Sequence, residues 1–323
     1  MSRTSLLLMV ASVAVVVAAA LVFRSYTDAI GRARAVVSSG GRIANTPAGM
    51  IEYAENGVGI LLLSIHGAGG GYDQGLAIAA DLVGDGFRVI APSRFGYLGT
   101  PIPEDASPSA QADAHVALLG ELGVDKAVVV GISAGARSAI ELALRHPRRV
   151  AAVILIVPGT YAPASPVAIE ASCGSQFAFW RVNAGADFAW WATEKIAPSV
   201  LIRFLGVPPE IVAAAPKAER ARVMQIVRRV QPLSRRFAGI NIDSKPDLQR
   251  LPLQEIVAPT LVISARDDLF NTLQAAEFAA STIPNARLVV FDTGGHLLVG
   301  HEQEVRAIMG EFVVKASVKS MQP

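Results

Sequence analysis

Residues 128–135, with the sequence Val-Val-Val-Gly-Ile-Ser-Ala-Gly, constrain the fold of this chain more than any other stretch. A run of β-branched residues ends at Gly131, and a helical pattern of small residues starts directly after Gly135. A serine on a tight turn between a strand and a helix is held in a strained backbone conformation, and side chains two residues before and after it would collide. Glycines occupy both of those positions. The pattern therefore predicts a strand-turn-helix unit with Ser133 as a candidate nucleophile, close to helix N–H groups that can bind negative charge.

Apolar runs and helical patterns alternate on both sides of this turn. Runs typical of buried strands cover residues 60–65, 87–91, 126–132, 150–157, 259–264 and 286–291. Helical patterns cover residues 73–84, 108–122 and 273–283, and a closing helix carries Val305, Ile308, Met309 and Phe312 on one face. Residues 40–59 have the pattern of a short antiparallel hairpin at a sheet edge. The alternation predicts an α/β fold with a mostly parallel sheet covered by helices on both faces.

The alternation stops between residues 160 and 251. This stretch contains all three tryptophans of the chain and several proline breaks. Its aromatic residues include Phe177, Phe179, Trp180, Phe188, Trp190 and Trp191, and its prolines include Pro198, Pro208, Pro209, Pro216 and Pro232. We predict a mainly helical cap, inserted after the sixth strand, whose aromatic residues pack together and, as in other caps over active sites, contact substrate.

These patterns divide the chain into segments. Residues 1–24 form a membrane anchor or a signal segment, and residues 25–41 form a linker. The core consists of residues 42–159 and residues 252–316, the cap covers residues 160–251, and residues 317–323 form a tail. A length of 323 residues fits one large α/β domain with such an insertion, or two small domains.

Residues 6–23 form an apolar run of 18 residues that only Ser12 interrupts. A run of this length reaches the lower limit for a transmembrane helix. One arginine precedes it and three follow by residue 34, so the positive charge is nearly balanced and does not fix the orientation. We expect a single-pass membrane anchor. The alternative is a signal peptide, cleaved after the small residues 18–20, which would release a secreted or periplasmic protein.

The charge pattern limits the classes of partner. The net charge of the chain is only +2, whereas nucleic acid binding requires a concentrated basic face. We therefore expect no nucleic acid partner. One basic stretch in the cap contains Lys217, Arg220, Arg222, Arg228, Arg229, Arg235 and Arg236. We interpret it as a solvated helix face, while contact with anionic lipid headgroups or an acidic substrate stays open. The single cysteine, Cys173, excludes an intrachain disulfide and is typical of a small buried apolar residue.

Three other segments carry the groups that a serine nucleophile requires. A glycine-rich loop, residues 66–71, follows a buried strand and can turn backbone N–H groups into a site. No Gly-Lys-Ser/Thr follows it, which disfavours a nucleotide-binding loop. Asp267 and Asp268 follow a later strand, and His296 lies in a Gly-Gly-His loop after the last strand. The order serine, aspartate, histidine is the one associated with this type of turn.

The other four histidines are interpreted as structural residues. His66 shapes the glycine-rich loop, and His115 lies inside a predicted helix. His146 lies at a helix end, where a surface position is expected. His301 lies at the start of the last helix, where capping or packing is expected.

With these motifs in order, the sequence resembles the α/β-hydrolase superfamily from about residue 43 to residue 314. The resemblance is strongest at residues 66–71, 131–135, 265–268 and 294–300. It implies a doubly wound, mostly parallel sheet of the eight-stranded type with a helical cap insertion. Ala265 stands where the family often has glycine and Thr272 where it often has proline, and both departures leave the carboxylates in place. The serine disfavours the haloalkane dehalogenase and epoxide hydrolase branches, which have aspartate at the turn.

The resemblance also implies a role for each candidate catalytic residue. Ser133 is the nucleophile and His296 is the base that takes its proton. Asp268 fixes the tautomer of the histidine, because the family's spacing selects it over Asp267, which remains the alternative.

Backbone N–H groups are expected to stabilise the oxyanion. The expected donors are Ala134 and Ala68, with Gly69 as a substitute for Ala68. No cofactor and no metal ion are expected. The expected activity is hydrolysis of a carboxylic ester with a small or medium acyl group through acyl-Ser133. The alternatives are a serine hydrolase of carbon–carbon or amide bonds, and a non-catalytic binding protein of the same fold.

Overall fold

An eight-stranded sheet lies at the centre of the structure, a computed structural model that describes residues 2–82, 86–163, 186–244 and 248–320. The strands lie in the order β1-β2-β4-β3-β5-β6-β7-β8. Their bounds are β1 Arg42–Thr46, β2 Gly49–Asn56, β3 Ile60–Ile65, β4 Phe87–Pro92, β5 Ala127–Ile132, β6 Val150–Ile156, β7 Thr260–Ala265 and β8 Ala286–Phe291. β2 pairs antiparallel with β1 and β4, and all other neighbours are parallel. The predicted α/β fold with an edge hairpin is confirmed.

Helices cover both faces of this sheet, and further helices form the N-terminal segment and the cap. Their bounds are α1 Arg3–Ser39, α2 Tyr72–Leu82, α3 Pro108–Glu121, α4 Gly135–Arg145, α5 Ala186–Ile196, α6 Pro198–Phe204, α7 Pro209–Ala214, α8 Lys217–Arg229, α9 Phe237–Asp243, α10 Leu273–Thr282 and α11 Glu302–Ser320. Val129 of β5 belongs to one apolar cluster, whereas Val128 and Val130 belong to a second one. Successive side chains of a strand point to opposite faces, so β5 is buried on both sides. Strands of this kind consist of continuous apolar residues, which explains why the sequence pattern located β3 to β8 within about one residue.

Helices α5 to α9 lie between β6 and β7 and form the described part of the cap. They have their own apolar cluster, in which Trp190 packs with Val223 and Val227. The indole N–H of Trp190 donates to the Val227 carbonyl oxygen at 2.9 Å, and its side chain is buried. Packing is therefore the role of this tryptophan. Four residues singled out from the sequence lie outside the described residues: Cys173, Phe177, Phe179 and Trp180.

The N-terminal apolar run lies within α1, a helix of 37 residues. Among the described residues this is the one helix that is long and apolar enough to cross a membrane, and the side chains of residues 3–25 are exposed. Membrane anchors and signal sequences share these properties.

Residues 25–41, which the sequence analysis treats as a linker, differ from that expectation. Helix α1 continues through them to residue 39 without a break. The ring of Tyr26 packs against Trp191 of the cap, with 5.6 Å between the ring centroids. The Tyr72 hydroxyl donates to the Val37 carbonyl oxygen at 3.1 Å, and Val37 is buried. Contacts with both cap and core stabilise the helical form, and the sequence pattern contains no sign of these distant contacts.

One arginine of the basic stretch is buried and a second is largely covered, which corrects the expectation of a solvated helix face. Arg236 is fully buried, and Arg222 pairs with Glu219 at 2.7 Å with 13% of its side chain exposed. The exposed members are Lys217, Arg220, Arg228 and Arg235. Composition reveals the cations but not their partners, because Asp73, the partner of Arg236, lies 163 residues away in the chain.

Candidate active site

Ser133 lies at the apex of a tight turn between β5 and α4. Its φ is +50°, in the left-handed region that residues with a side chain rarely adopt. Its N–H donates to the Ile156 carbonyl oxygen of the neighbouring strand at 2.9 Å. A Cβ on Gly131 would lie 2.6 Å from the Cβ of Ala139, and one on Gly135 would lie 2.5 Å from the His66 carbonyl oxygen. Glycine at both positions therefore lets the strained turn close.

This close approach predicts the effect of a methyl group at Gly135. We expect Gly135→Ala to lower the free energy of unfolding by about 1–3 kcal/mol and to reduce activity, because α4 must move away from β3. Gly120→Ala in α3 is the matched control, since no atom lies within 4 Å of its added Cβ. The free energy of unfolding of this control variant should rise by about 0.5–1 kcal/mol, because alanine is favoured over glycine inside a helix. Urea unfolding of both variants measures the difference, and equal midpoints would contradict the predicted contact.

Asp268 and His296 come together from the ends of β7 and β8. Nδ1 of His296 lies 2.8 Å from Oδ2 of Asp268. Asp268 is buried, and 10% of the His296 side chain is exposed. A carboxylate that accepts the Nδ1 proton leaves the Nε2 lone pair of neutral His296 ready to accept another proton. The pair is therefore arranged as a general base with its orienting acid.

Two further groups hold the Asp268 carboxylate in place. The N–H of Phe270 donates to Oδ1 at 2.9 Å, and the Thr272 hydroxyl donates to Oδ2. Thr272 stands where the family often has proline, so this departure adds a hydrogen bond to the site. The sequence shows this departure from the family pattern but gives no sign of its contact with Asp268.

Asp267 contacts the histidine loop instead of the histidine ring. Its Oδ2 accepts from the N–H of Gly294 at 3.1 Å, and its Oδ1 accepts from the N–H of Gly295 at 2.8 Å. Both glycines have positive φ, +126° and +59°. Asp267 thus caps the loop that carries His296, and the geometry favours Asp268 as the partner of the ring.

The cap contributes one backbone carbonyl to this part of the site. The carbonyl oxygen of Gly206 accepts from the N–H groups of His296 and Leu269, both at 3.1 Å. A Cβ on Gly206 would lie 2.7 Å from the Cβ of His296. Only glycine allows this close approach, and the sequence pattern of the cap did not reveal it.

The glycine-rich loop lies beside Ser133. A Cβ on Gly67 would lie 3.1 Å from the Cβ of Ser133, and Ala68 and Ala134 line the same cavity as the serine. The N–H of Gly69 donates to the Tyr97 hydroxyl at 3.3 Å. This hydrogen bond favours Ala68 over Gly69 as the donor from the loop.

His66 stabilises the loop from beneath. Its Nε2 accepts from the N–H of Arg94 at 2.9 Å, so its Nδ1 donates to the Gly67 carbonyl oxygen at 2.7 Å. Burial and the Arg94 guanidinium lower the pKa of His66 well below its ordinary value. A neutral, fully bonded and buried histidine fits the structural role expected for it.

A cavity of about 1700 Å³, counting the space open to solvent, joins these groups. Ser133, His296 and the glycine-rich loop line it on the core side. Apolar cap residues on its wall are Phe204, Leu205, Ile226, Val230 and Ile240. The reactive groups therefore face a largely apolar space beneath the cap.

A buried ion pair joins the cap to the core next to this cavity. The guanidinium of Arg94 donates to both carboxylate oxygens of Asp243, at 3.0 and 2.5 Å, and the Tyr97 hydroxyl donates to the same group at 2.5 Å. Burial raises the pKa of Asp243, but Arg94, Arg137 and the Tyr97 hydroxyl together outweigh burial and hold the pKa below its ordinary value. The carboxylate is thus ionised and fixes α9 to the loop after β4. Sequence reasoning missed this pair, whose members lie 149 residues apart.

The three remaining histidines have contacts away from the reactive groups. His115 is buried, and burial followed by the charge of Arg94 lowers its pKa to about 3. Nε2 of His146 lies 2.6 Å from an oxygen of Asp113, and the His301 ring stacks on Phe291 at 4.1 Å. Within the described ranges, no group of three or more His, Cys, Asp or Glu side chains is arranged to hold a metal ion.

Known proteins resemble this chain over most of its length. The model of a protein family described as alpha/beta hydrolase fold matches residues 60–302. The chain is 27% identical over 274 residues to a 2-hydroxymuconate semialdehyde hydrolase of Pseudomonas putida, across 81% of this chain and 90% of that protein. It is 32% identical over 268 residues to a pimeloyl-(acyl-carrier protein) methyl ester esterase of Aromatoleum aromaticum, across 79% of this chain and 98% of that protein.

One solved structure resembles the chain almost from end to end. It is described as a membrane phospholipase A and matches with a TM-score of 0.64 at 22% identity. The match covers 98% of this chain and 99% of the other, so it includes most of the N-terminal helix α1. At this identity the likeness concerns the fold.

Proposed function

This chain belongs to the α/β-hydrolase family and is a hydrolase, and from that premise we propose that it is a serine hydrolase that transfers an acyl group to water. The proposed substrate is a carboxylic ester with a small or medium acyl group. One observation carries the proposal: the strained Ser133 lines one cavity with His296, whose ring is paired with Asp268.

In the proposed first half-reaction, Nε2 of His296 takes the proton of the Ser133 hydroxyl while the serine oxygen attacks the ester carbonyl carbon. The carbonyl oxygen becomes an oxyanion, which the N–H groups of Ala134 and Ala68 stabilise. The protonated histidine then gives its proton to the leaving alcohol, and the acyl group remains on Ser133. Asp268 keeps the proton on Nδ1 and stabilises the imidazolium that forms.

In the second half-reaction, water takes the place of the alcohol. His296 removes a proton from the water as it attacks the acyl carbon, and the oxyanion forms again at the same donors. Collapse of this intermediate releases the acid and returns the proton to Ser133. A largely apolar cavity supports this chemistry, because hydrogen bonds to a developing charge are stronger where water is excluded.

The ester as substrate is supported by the apolar wall of the cavity and by the esterase among the relatives. An apolar wall favours the acyl chain, and the polar groups lie at the carbonyl end. A carbon–carbon or amide bond is the alternative, because the same nucleophile can attack other carbonyl groups.

A fluorophosphonate probe tests the nucleophile. We expect the purified full-length protein in detergent to form one covalent adduct, located by mass spectrometry on Ser133, because the phosphonyl oxygen occupies the same site as the oxyanion. A panel of nitrophenyl esters, aminoacyl anilides and activated diketones then separates the bond types. Folded protein that stays unlabelled contradicts the serine mechanism, and a preference for anilides or diketones contradicts the ester.

We also propose that residues 6–23 anchor the enzyme in a membrane by a single pass. The support is the exposed apolar surface of α1 and its unbroken continuation into contacts with cap and core. Fractionation of a C-terminally tagged chain tests the anchor. The tagged chain should remain in the membrane pellet at its full mass after alkaline carbonate washing. A soluble product shorter by about 20 residues would instead identify a cleaved signal.

A further inference from the structure

Arg236 of the cap is a fully buried cation that the steps above do not use. Its Nη1 and Nη2 atoms donate to the two carboxylate oxygens of Asp73 in α2, at 3.0 and 2.7 Å. A buried charge is costly unless it is paired and hydrogen-bonded, so this fork-to-fork pair is needed to keep the arginine inside. The pair ties the cap to the helix that directly follows the glycine-rich loop.

The same guanidinium also holds the glycine-rich loop itself. Its Nη1 donates to the Gly70 carbonyl oxygen at 2.6 Å. Its Nε donates to the Val230 carbonyl oxygen at 3.1 Å, and its Nη2 donates to the Arg229 carbonyl oxygen at 2.9 Å. One planar group thus fixes a loop carbonyl relative to two cap carbonyls. An ammonium group lacks this planar set of donors.

A second contact, from the core loop after β4, fixes the glycine-rich loop one residue earlier. The N–H of Gly69 donates to the Tyr97 hydroxyl, which in turn donates to Asp243 of α9. The backbone on both sides of the Gly69–Gly70 peptide is therefore held, on one side by Tyr97 of the core, which is bonded to Asp243 of the cap, and on the other by Arg236 of the cap. Ala68, the proposed oxyanion donor, precedes this fixed segment by one residue.

We propose that Arg236 is a positioning residue for the oxyanion hole. By holding the Gly70 carbonyl against the cap, it orients the loop so that the Ala68 N–H points at the oxyanion formed at Ser133. The inference rests on the serine-hydrolase function proposed above. An oxyanion donor is worth about 10²- to 10³-fold in kcat, so a loosened loop should affect turnover more than substrate binding.

The test uses Arg236→Lys in the full-length protein, because lysine keeps the charge opposite Asp73 and loses the planar donor set. We expect kcat for a nitrophenyl ester to fall about 10- to 100-fold and KM to change by less than about threefold. A trifluoromethyl ketone, which forms an oxyanion on the serine, should lose affinity by the same factor as kcat/KM. The affinity for the product acid should stay unchanged. Asp73→Asn should also lower kcat and the affinity for the ketone. This variant provides the test if Arg236→Lys does not fold.

Arg149→Met is the control, because Arg149 also donates to two backbone carbonyls, those of Val124 and Asp125, but lies outside the residues that line the cavity. Its kcat and ketone affinity should match the wild type even if its unfolding temperature falls. Folded Arg236→Lys with unchanged kcat and ketone affinity would overturn the proposal, as would a rise in KM alone. Wild-type protein that binds no ketone and cleaves no ester would contradict the proposed function instead.

Discussion

Ser133→Ala is expected to lower kcat by about 10⁶-fold, and His296→Ala by a similar factor, because the nucleophile and its base act as one unit. The double variant should be no slower than either single variant. Without His296 no base accepts the serine proton, and without Ser133 the histidine has no hydroxyl to activate. The residual rate, about 10³- to 10⁴-fold above the uncatalysed reaction, should reflect the oxyanion donors and substrate binding. The measurement is kcat and KM for the nitrophenyl ester that the wild type hydrolyses fastest.

The unfolding temperatures of the two single variants provide the control for this cycle. That of Ser133→Ala should stay close to the wild type, and His296→Ala should unfold at a lower temperature but stay folded in the assay, because it leaves the buried Asp268 carboxylate without its histidine partner. Independent effects, in which the losses of the two single variants multiply in the double variant, would show that Ser133 and His296 do not act together. The proposed mechanism would then be wrong even if each single variant were inactive.

Asp268→Asn is expected to lower kcat by about 10⁴-fold, because the amide stabilises the wrong tautomer of the histidine and carries no charge to balance the imidazolium. Asp267→Asn is the matched control one residue away. Its remaining oxygen can still accept one of the two glycine N–H groups, so kcat should fall by less than about tenfold, while the free energy of unfolding should drop by about 1 kcal/mol. The two variants have the same change in charge and nearly the same shape.

This pair of variants separates the two neighbouring carboxylates by function. A large loss of kcat in Asp267→Asn with little effect in Asp268→Asn would contradict our proposal, because it would show that Asp267 is the residue that orients His296. Thr272→Val adds an intermediate case, because it removes a donor to Asp268 while leaving the carboxylate in place. Its effect on kcat should be smaller than that of Asp268→Asn and should share its direction.

The sheet could be predicted from the sequence because its central strands are buried on both faces. In β5, each residue from Ala127 to Ile132 is buried, so the apolar run is continuous and marks the strand without an alignment. The course of residues 25–39 could not be predicted in the same way. Their helical form is stabilised by contacts such as Tyr26 with Trp191, which join residues 165 positions apart.

The same distinction applies to the candidate site. The motifs around Ser133 and His296 are local, since tight turns require glycine at fixed spacings from the functional residue. The choice between Asp267 and Asp268 needed a three-dimensional distance, because both follow the same strand. Arg236 could not be recognised from its neighbours at all. Within its segment it is one of seven cations, and its burial and its contacts with Asp73 and Gly70 distinguish it.

The unbroken course of α1 gives the proposed anchor a stiffness that a flexible tether lacks. Residues 24–39 continue the helix for about 24 Å beyond the apolar run, and the contacts of Tyr26 and Val37 hold this extension against the body of the enzyme. A disordered segment of the same length would let the catalytic domain rotate and change its distance from the bilayer. A rigid helical extension would instead hold the cavity at a fixed distance from the bilayer and at a fixed tilt. The enzyme would then select among membrane-associated substrates by how far their ester bond reaches from the lipid surface, as well as by the shape of the acyl group.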